Sequence, residues 1–447
     1  MADSFPPGSM SWLLGIEDTC VHPPARFDMA TLDEHALTDH DTYWREDLDT
    51  VRRLGATGLR YGVSWPLVHV APGVFDWSVL DERLPYAAGD LGLTVIADLV
   101  HYGTPTWLDD AFADPGYPAA IAEFAGAFAA RYRGLVDHIT PLNEPVTTAS
   151  FSGLRGIWPP ALTGWTGWTT VALGVVAGIR AAIAAARAAN PDVVVVHVEA
   201  SALYLPSTPD LESHAELLRS LATLPTDLLL GRVDGAHPMY GWLLEHGAGA
   251  DVLAGLRSEV PTIDLLGMNY YPDLTPRTLV DGGGAIEQVT TNRWVEGLRE
   301  CLQSFAARYQ APILVTETSI EGSAERRADW LTASTREVLA LREAGLDIRG
   351  YTWWPLLDFV DWSYASGGRN VEEFLLAPTS DGHGHRPADE QFGDVSAGKA
   401  AFLRRMGLLS LHEGPDGTLA RVEGAASAAF RSVADRADRR TPPEHVS

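Results

Sequence analysis

The sequence predicts an α/β fold, a single (β/α)8 TIM barrel, from three observations. Eight short apolar runs succeed one another, segments of helical period separate them, and no linker of domain-splitting composition appears before residue 375. The runs are Trp12–Ile16, Gly58–Trp65, Leu93–His101, His138–Glu144, Val193–Glu199, Ile263–Tyr271, Ile313–Glu317 and Ile348–Leu357. Between them, Tyr43–Leu54 carries apolar residues at 44, 48, 51 and 54 among charges, which is a helical period. Phe124–Tyr132 and Thr169–Asn190 are Ala-rich with the same period, and Asn190-Pro191 stops the second. Trp294–Tyr309 and Ala328–Ala344 continue the alternation. No Gly-x-Gly-x-x-Gly opens the first unit, which argues against an open dinucleotide-binding sheet. A chain of 447 residues exceeds an ordinary domain, but barrels with long loops reach that size as one unit. Residues 1–432 are therefore read as the barrel. That unit includes a loop over Ala377–Phe392, a helix-like piece over Ala397–Met406 and a strand pair around Gly414–Gly417. Residues 433–447 read as a frayed tail.

Composition narrows the function classes. A net charge of −26 repels phosphate backbones and anionic lipid, so neither a nucleic-acid nor a membrane partner is expected. No segment reads as the ~20 apolar residues that span a bilayer. Met1–Met10 has no basic stretch or apolar run, and the cytoplasm is the expected location. Lys399 is the only lysine and lies outside any apolar run, a poor setting for Schiff-base chemistry. Cys20 and Cys301 are the only cysteines, too few for a disulfide framework or a zinc cluster. No metal and no cofactor is expected.

Function in such a barrel sits at the carboxyl ends of the strands. His138–Leu142 runs into Asn143-Glu144-Pro145, and Pro145 cannot donate to a sheet, so an amide and a carboxyl group stand together at a strand end. Ile313–Val315 runs likewise into Thr316-Glu317. Two carboxyl groups facing one site are what cleavage of a glycosidic bond requires. The second strand carries Arg60 and ends at Trp65, and the remaining strand ends add Glu17, His101, His197, Glu199, Asn269, Tyr271 and Trp354, followed by Asp361 and Trp362. Amides, carboxylates and an imidazole grip hydroxyls, and indole faces pack on the C–H surface of a ring. The set suits a small neutral glycoside or oligosaccharide. The aromatic segment Trp158 to Trp168 is expected on the leaving-group side.

Seven segments, in order, carry a family resemblance. Tyr43-Trp44-Arg45-Glu46-Asp47 with Leu54-Gly55, Arg60-Tyr61-Gly62-Val63-Ser64-Trp65 and His101-Tyr102-Gly103-Thr104-Pro105-Thr106-Trp107-Leu108 are the first three. Leu142-Asn143-Glu144-Pro145, Gly267-Met268-Asn269-Tyr270-Tyr271, Val315-Thr316-Glu317 and Gly350–Asp358 are the others. They resemble glycoside hydrolase family 1, within the clan of (β/α)8 retaining glycosidases, over residues 40 to 430.

The resemblance implies Glu144 as acid/base and Glu317 as nucleophile, with the carboxyl groups about 5–5.5 Å apart. It implies that Arg60 and Tyr271 hold Glu317 ionised and that Asn143 and Asn269 surround the 2-hydroxyl and the acid. His101 would bind the 3-hydroxyl, and Trp354 would form a platform under the ring. Asp361-Trp362 stands where the family has Glu-Trp reading the 4- and 6-hydroxyls. The first strand departs further: Gly15-Ile16-Glu17-Asp18 lacks the glutamine of Gln-x-Glu-Gly. Tyr102 replaces Trp, and Thr318-Ser319 replaces Asn-Gly. These departures mark an outlying branch of the family, or a neighbouring family of the clan. A retaining β-glycosidase is the leading reading. A transglycosylase on the same site and a non-catalytic sugar-binding barrel are the alternatives.

Overall fold

The computed structural model of the chain describes residues 4–372 and 395–438. Eight parallel strands close into a barrel: β1 (Ser11–Ile16), β2 (Gly58–Gly62), β3 (Thr94–Asp98), β4 (His138–Thr140), β5 (Val194–Ala200), β6 (Leu265–Asn269), β7 (Ile313–Glu317) and β8 (Ile348–Trp353). β1 pairs with both β2 and β8, so no edge is left open. The main helices are α1 (His40–Arg53), α2 (Ser78–Leu84), α3 (Tyr117–Arg131), α4 (Gly164–Ala189), α5 (Glu212–Leu229), α6 (Trp294–Tyr309), α7 (Ala324–Glu343) and α8 (Ala425–Asp438). The predicted (β/α)8 architecture is present.

Side chains alternate between bore and wall along each strand. Trp12, Leu14 and Ile16 of β1 join the outer core beneath the helices, whereas Leu13 joins a small inner core with Ile96, Val196, Val198, Leu265 and Leu314. Phe5 belongs to that inner core, lies edge-on to His138 and closes the amino-terminal end of the bore. The same alternation turns Gly15, Arg60 and Asp98 inward above this apolar floor, with Gly15 opposite Arg60 in the register. The charged groups Arg60 and Asp98 thus sit above the apolar floor, toward the carboxyl ends.

Several boundaries differ from the sequence reading. α5 carries Pro225 in its interior and was not anticipated. The piece expected as a helix over Ala397–Met406 forms two short 3-10 turns and a two-residue strand, Leu403–Arg404, paired with Phe359–Val360. The strand pair around Gly414–Gly417 forms, as Leu409–Glu413 with Leu419–Glu423. α8 continues past the expected tail boundary at 433. Its face includes Phe430, which packs into the outer core. The loop expected over 377–392 and residues 439–447 lie outside the described residues. Contrary to the sequence reading, α4, with 26 residues, is long and apolar enough to cross a membrane. Here it lies in the barrel wall, burying Val171, Val175, Ile179 and Ile183 in the outer core, and its apolar length is used against α3.

Candidate active site

The carboxyl ends of the strands surround a cavity of about 150 Å³ lined by His101, Tyr102, Glu144, Asn269, Tyr271, Glu317, Trp354, Asp361 and Trp362. Glu144 follows β4 with φ 45°, a left-handed conformation that costs a non-glycine residue free energy and aims its side chain inward. Its Oε1 accepts from Asn269 Nδ2 at 2.7 Å. Its Oε2 accepts from the Tyr102 hydroxyl at 2.7 Å and from Thr147 Oγ1 at 2.8 Å. Every donor to Glu144 is neutral.

Glu317 meets a different environment. Its Oε1 accepts from Arg60 Nη1 at 2.8 Å, and its Oε2 accepts from the Tyr271 hydroxyl at 2.7 Å. A register shift between Met268 and Asn269 sets Asn269 opposite Glu317, so β6 and β7 deliver both side chains to one level. Asn269 Oδ1 also accepts from Thr316 Oγ1 at 2.7 Å, which fixes its amide with the nitrogen toward Glu144.

Arg60 holds the site from below. Its Nη1 lies 2.8 Å from Glu17 Oε1, and its Nη2 donates to Asp98 Oδ2 at 2.8 Å and to Asn143 Oδ1 at 3.1 Å. Arg60 and Glu17 have no exposure at all and do not line the cavity, which corrects the expectation that they contact substrate. The inward alternation of β1 and β2 places them in the bore, one layer beneath it. One cation there faces the carboxyl groups of Glu17, Asp98 and Glu317. Three full negative charges on one guanidinium, away from water, are disfavoured. Burial lifts the Glu17 carboxyl well above the usual range against the pull of Arg60, and the charges of Glu317 and Asp98 add to the lift.

Burial also raises Glu317 above the usual range; Arg60, His101 and Tyr271 oppose it, and the Glu144 charge adds to it. Arg60 and Tyr271 therefore make the contacts expected of them, yet burial outweighs their pull. His101 is held above its ordinary range: burial works against the imidazolium, but the Asp98 hydrogen bond and charge prevail. His101 Nδ1 sits 3.1 Å from Asp98 Oδ2, and its Nε2 lies 3.3 Å from Asn143 Nδ2. Asn143 is fully buried behind Tyr102, donating to its hydroxyl at 3.0 Å.

The remaining predicted residues divide. Trp354 lines the cavity with its Nε1 donating to the Glu17 carbonyl at 2.6 Å, whereas Trp353 points outward and is core. Asp361 lines the cavity, accepts from Ser363 N at 2.9 Å and faces Arg404 at 3.8 Å. Trp362 Nε1 donates to Thr19 Oγ1 at 3.0 Å. His197 faces outward to Thr226 of α5, away from the site. Glu199 is buried and accepts from the backbone N–H groups of Val146 and Ala200, rather than forming the rim salt bridge anticipated for it. Trp158 stacks on Tyr102 and Phe151 and Trp168 is buried in α4, so neither lines the cavity around Glu144 and Glu317. Tyr102 and Asp98 went unassigned in the sequence. Their signals were a hydroxyl where an indole was expected, and a lone carboxylate inside the apolar run Leu93–His101.

The chain matches the model described as Glycosyl hydrolase family 1 over residues 14–273, more than half its length. It belongs to that family. Among curated relatives, the Beta-glucosidase of Agrobacterium sp. is 23% identical over 73% of this chain and 77% of its own. The Thermostable beta-glucosidase B of Thermobispora bispora is 25% identical over 80% of each. The solved Beta-glucosidase from Thermotoga maritima in complex with deoxynojirimycin superposes with a TM-score of 0.75 at 17% identity. That superposition covers 97% of this chain and 99% of the other, and the likeness is one of fold. Family and barrel together give the enzyme class, a β-glycosidase. At these identities the cavity must speak for its own specificity.

Proposed function

We propose that the protein is a retaining β-glycosidase in which Glu317 is the nucleophile and Glu144 the acid/base. The contrast between the two carboxyl groups carries this reading. One contacts a buried guanidinium; the other receives only neutral donors in the same cavity. Ionised Glu317 attacks the anomeric carbon while protonated Glu144 gives its proton to the departing oxygen, forming a covalent glycosyl-enzyme. Glu144 then takes a proton from water, which displaces Glu317 and regenerates both groups. As Glu317 loses charge to the bond, Arg60 keeps Asp98 as a partner, so the guanidinium is never left bare. The Tyr271 hydroxyl returns to the carboxylate when Glu317 leaves. His101 and Asp361 present polar atoms to ring hydroxyls, and the Trp354 face lies against the ring. The expected ligand is a neutral small-molecule glycoside, and the cytoplasm is the proposed location.

A panel of aryl β-glycosides (gluco, galacto, fuco, xylo, manno) tests the proposal with Glu317→Ala and Glu144→Ala. Aryl release on at least one member should fall roughly 10⁴-fold or more in Glu317→Ala. Glu144→Ala should keep activity on good leaving groups and lose it on poor ones, with azide restoring turnover. Unchanged release in Glu317→Ala would overturn the assignment.

A further inference from the structure

Beside the active site, the short strands Cys20–Val21 and Leu32–Asp33 pair antiparallel, with Cys20 directly opposite Asp33. His22 lies two residues after Cys20, on the same side, and its Nε2 is 2.9 Å from Asp33 Oδ2. Cys20 Sγ is 4.0 Å from the same oxygen, and the three ligand atoms all lie within 4.8 Å of one another. A sulfur, an imidazole nitrogen and a carboxylate oxygen thus converge on one point. Cys20 and Asp33 are buried, whereas the His22 side chain is 21% exposed and leaves one side open to water.

We propose that Cys20, His22 and Asp33 form a binding site for a zinc-class divalent cation, with water completing a tetrahedron. Metal–ligand distances of about 2.0–2.3 Å separate tetrahedral donors by roughly 3.3–3.8 Å, between the closest and widest separations here, so small side-chain rotations suffice. Two cysteines in the chain could not form a cysteine-only cluster, but one is enough when a histidine and an aspartate share the site. Asp33 suits the role. Its Oδ1 is already held by the Ala36 N–H at 3.3 Å, which leaves Oδ2 toward Cys20 and His22.

The consequence reaches the cavity. Cys20 N donates to the His101 carbonyl at 3.1 Å, and Val21 packs with Tyr102. Gly103 is so close that a β-carbon there would lie 1.8 Å from the Cys20 carbonyl oxygen. A bound cation would clamp the 20–33 segment and, through it, the loop carrying His101 and Tyr102.

Cobalt(II) added to the chelator-treated full chain reads the site directly. One equivalent should produce a thiolate-to-cobalt charge-transfer band and tetrahedral d–d absorption, both bleached by zinc. The band should disappear in Cys20→Ser and persist in Cys301→Ser, because Cys301 is the other, buried cysteine on α6. His22→Ala, at a partly exposed position, should keep the wild-type circular dichroism and bind cobalt at least about tenfold more weakly. Absence of the band in the folded wild type, its survival in Cys20→Ser, or unchanged affinity in folded His22→Ala would overturn the proposal.

Discussion

A β-carbon on Gly15 would sit 2.7 Å from Trp354 Cδ1 and 2.8 Å from Glu17 Oε2. The position where the family resemblance expects a sugar-gripping glutamine is therefore taken by an indole edge and a buried carboxyl group. Installing a side chain there must move Trp354. Gly15→Ala should lower kcat/KM at least about tenfold, chiefly through KM, because a displaced ring platform misorients the sugar. Gly15→Gln should do no better. Steady-state kinetics on the best aryl glycoside checks both, and a gain from Gly15→Gln would refute the packing argument.

Glu17 gives a charge test. Burial favours the neutral form of its carboxyl, and the Glu317 and Asp98 charges add to this, so an amide is the closest stand-in for it. Glu17→Gln should retain activity within about threefold, whereas Glu17→Ala opens a cavity beside Arg60 and should lose far more. The folded-state pKa lies above the unfolded value. Its stability contribution is thus fully present below the unfolded value and declines as pH rises from there toward the folded value, a loss that Glu17→Gln should reduce. Denaturant melts across pH in the two proteins give the comparison.

The Tyr271 hydroxyl stabilises the carboxylate form of Glu317. Tyr271→Phe removes that bond, so the pKa of Glu317 rises further and the nucleophile protonates at higher pH. The acid limb of kcat/KM should shift to higher pH, with the change in kcat/KM largest on the acid side. A profile that drops uniformly without shifting would mean the hydroxyl positions the ring and does not tune the charge.

Much of this arrangement could be read from the sequence. The strand–helix alternation is marked by strand ends that change abruptly from apolar to polar residues, and Glu144 and Glu317 stand at two such changes. Which way a side chain faces across a closed barrel is another matter. Glu17 follows β1 and Arg60 lies within β2, and register sends both into the bore below the cavity. Tyr102 is aimed at Glu144 by a φ of 71°, which composition does not reveal. His197 and Trp158 had the right chemistry on the wrong side of a wall. The meeting of Cys20 and His22 with Asp33 depends on a two-residue pairing too short to leave a periodic signal.

His197 supplies a stability prediction independent of catalysis. Burial lowers its pKa from 6.5 to about 4, so the unfolded chain binds a proton that the folded one excludes. Stability should be full above pH 6.5 and fall as pH drops toward about 4, by on the order of 3 kcal/mol from this group. His197→Gln should flatten that part of the profile. Unfolding free energies from denaturant titration at several pH values measure the slope, and equal slopes in both proteins would contradict the assignment.

The central claim is the covalent intermediate on Glu317. A glycoside fluorinated beside the anomeric carbon and carrying an activated leaving group slows breakdown of such an intermediate, and mass spectrometry of the digested protein locates it. The account predicts one added sugar, on the peptide containing Glu317, and none in Glu317→Gln. A sugar found on Glu144 instead, or multiple turnover of the reagent with inverted product and no labelled peptide, would contradict it.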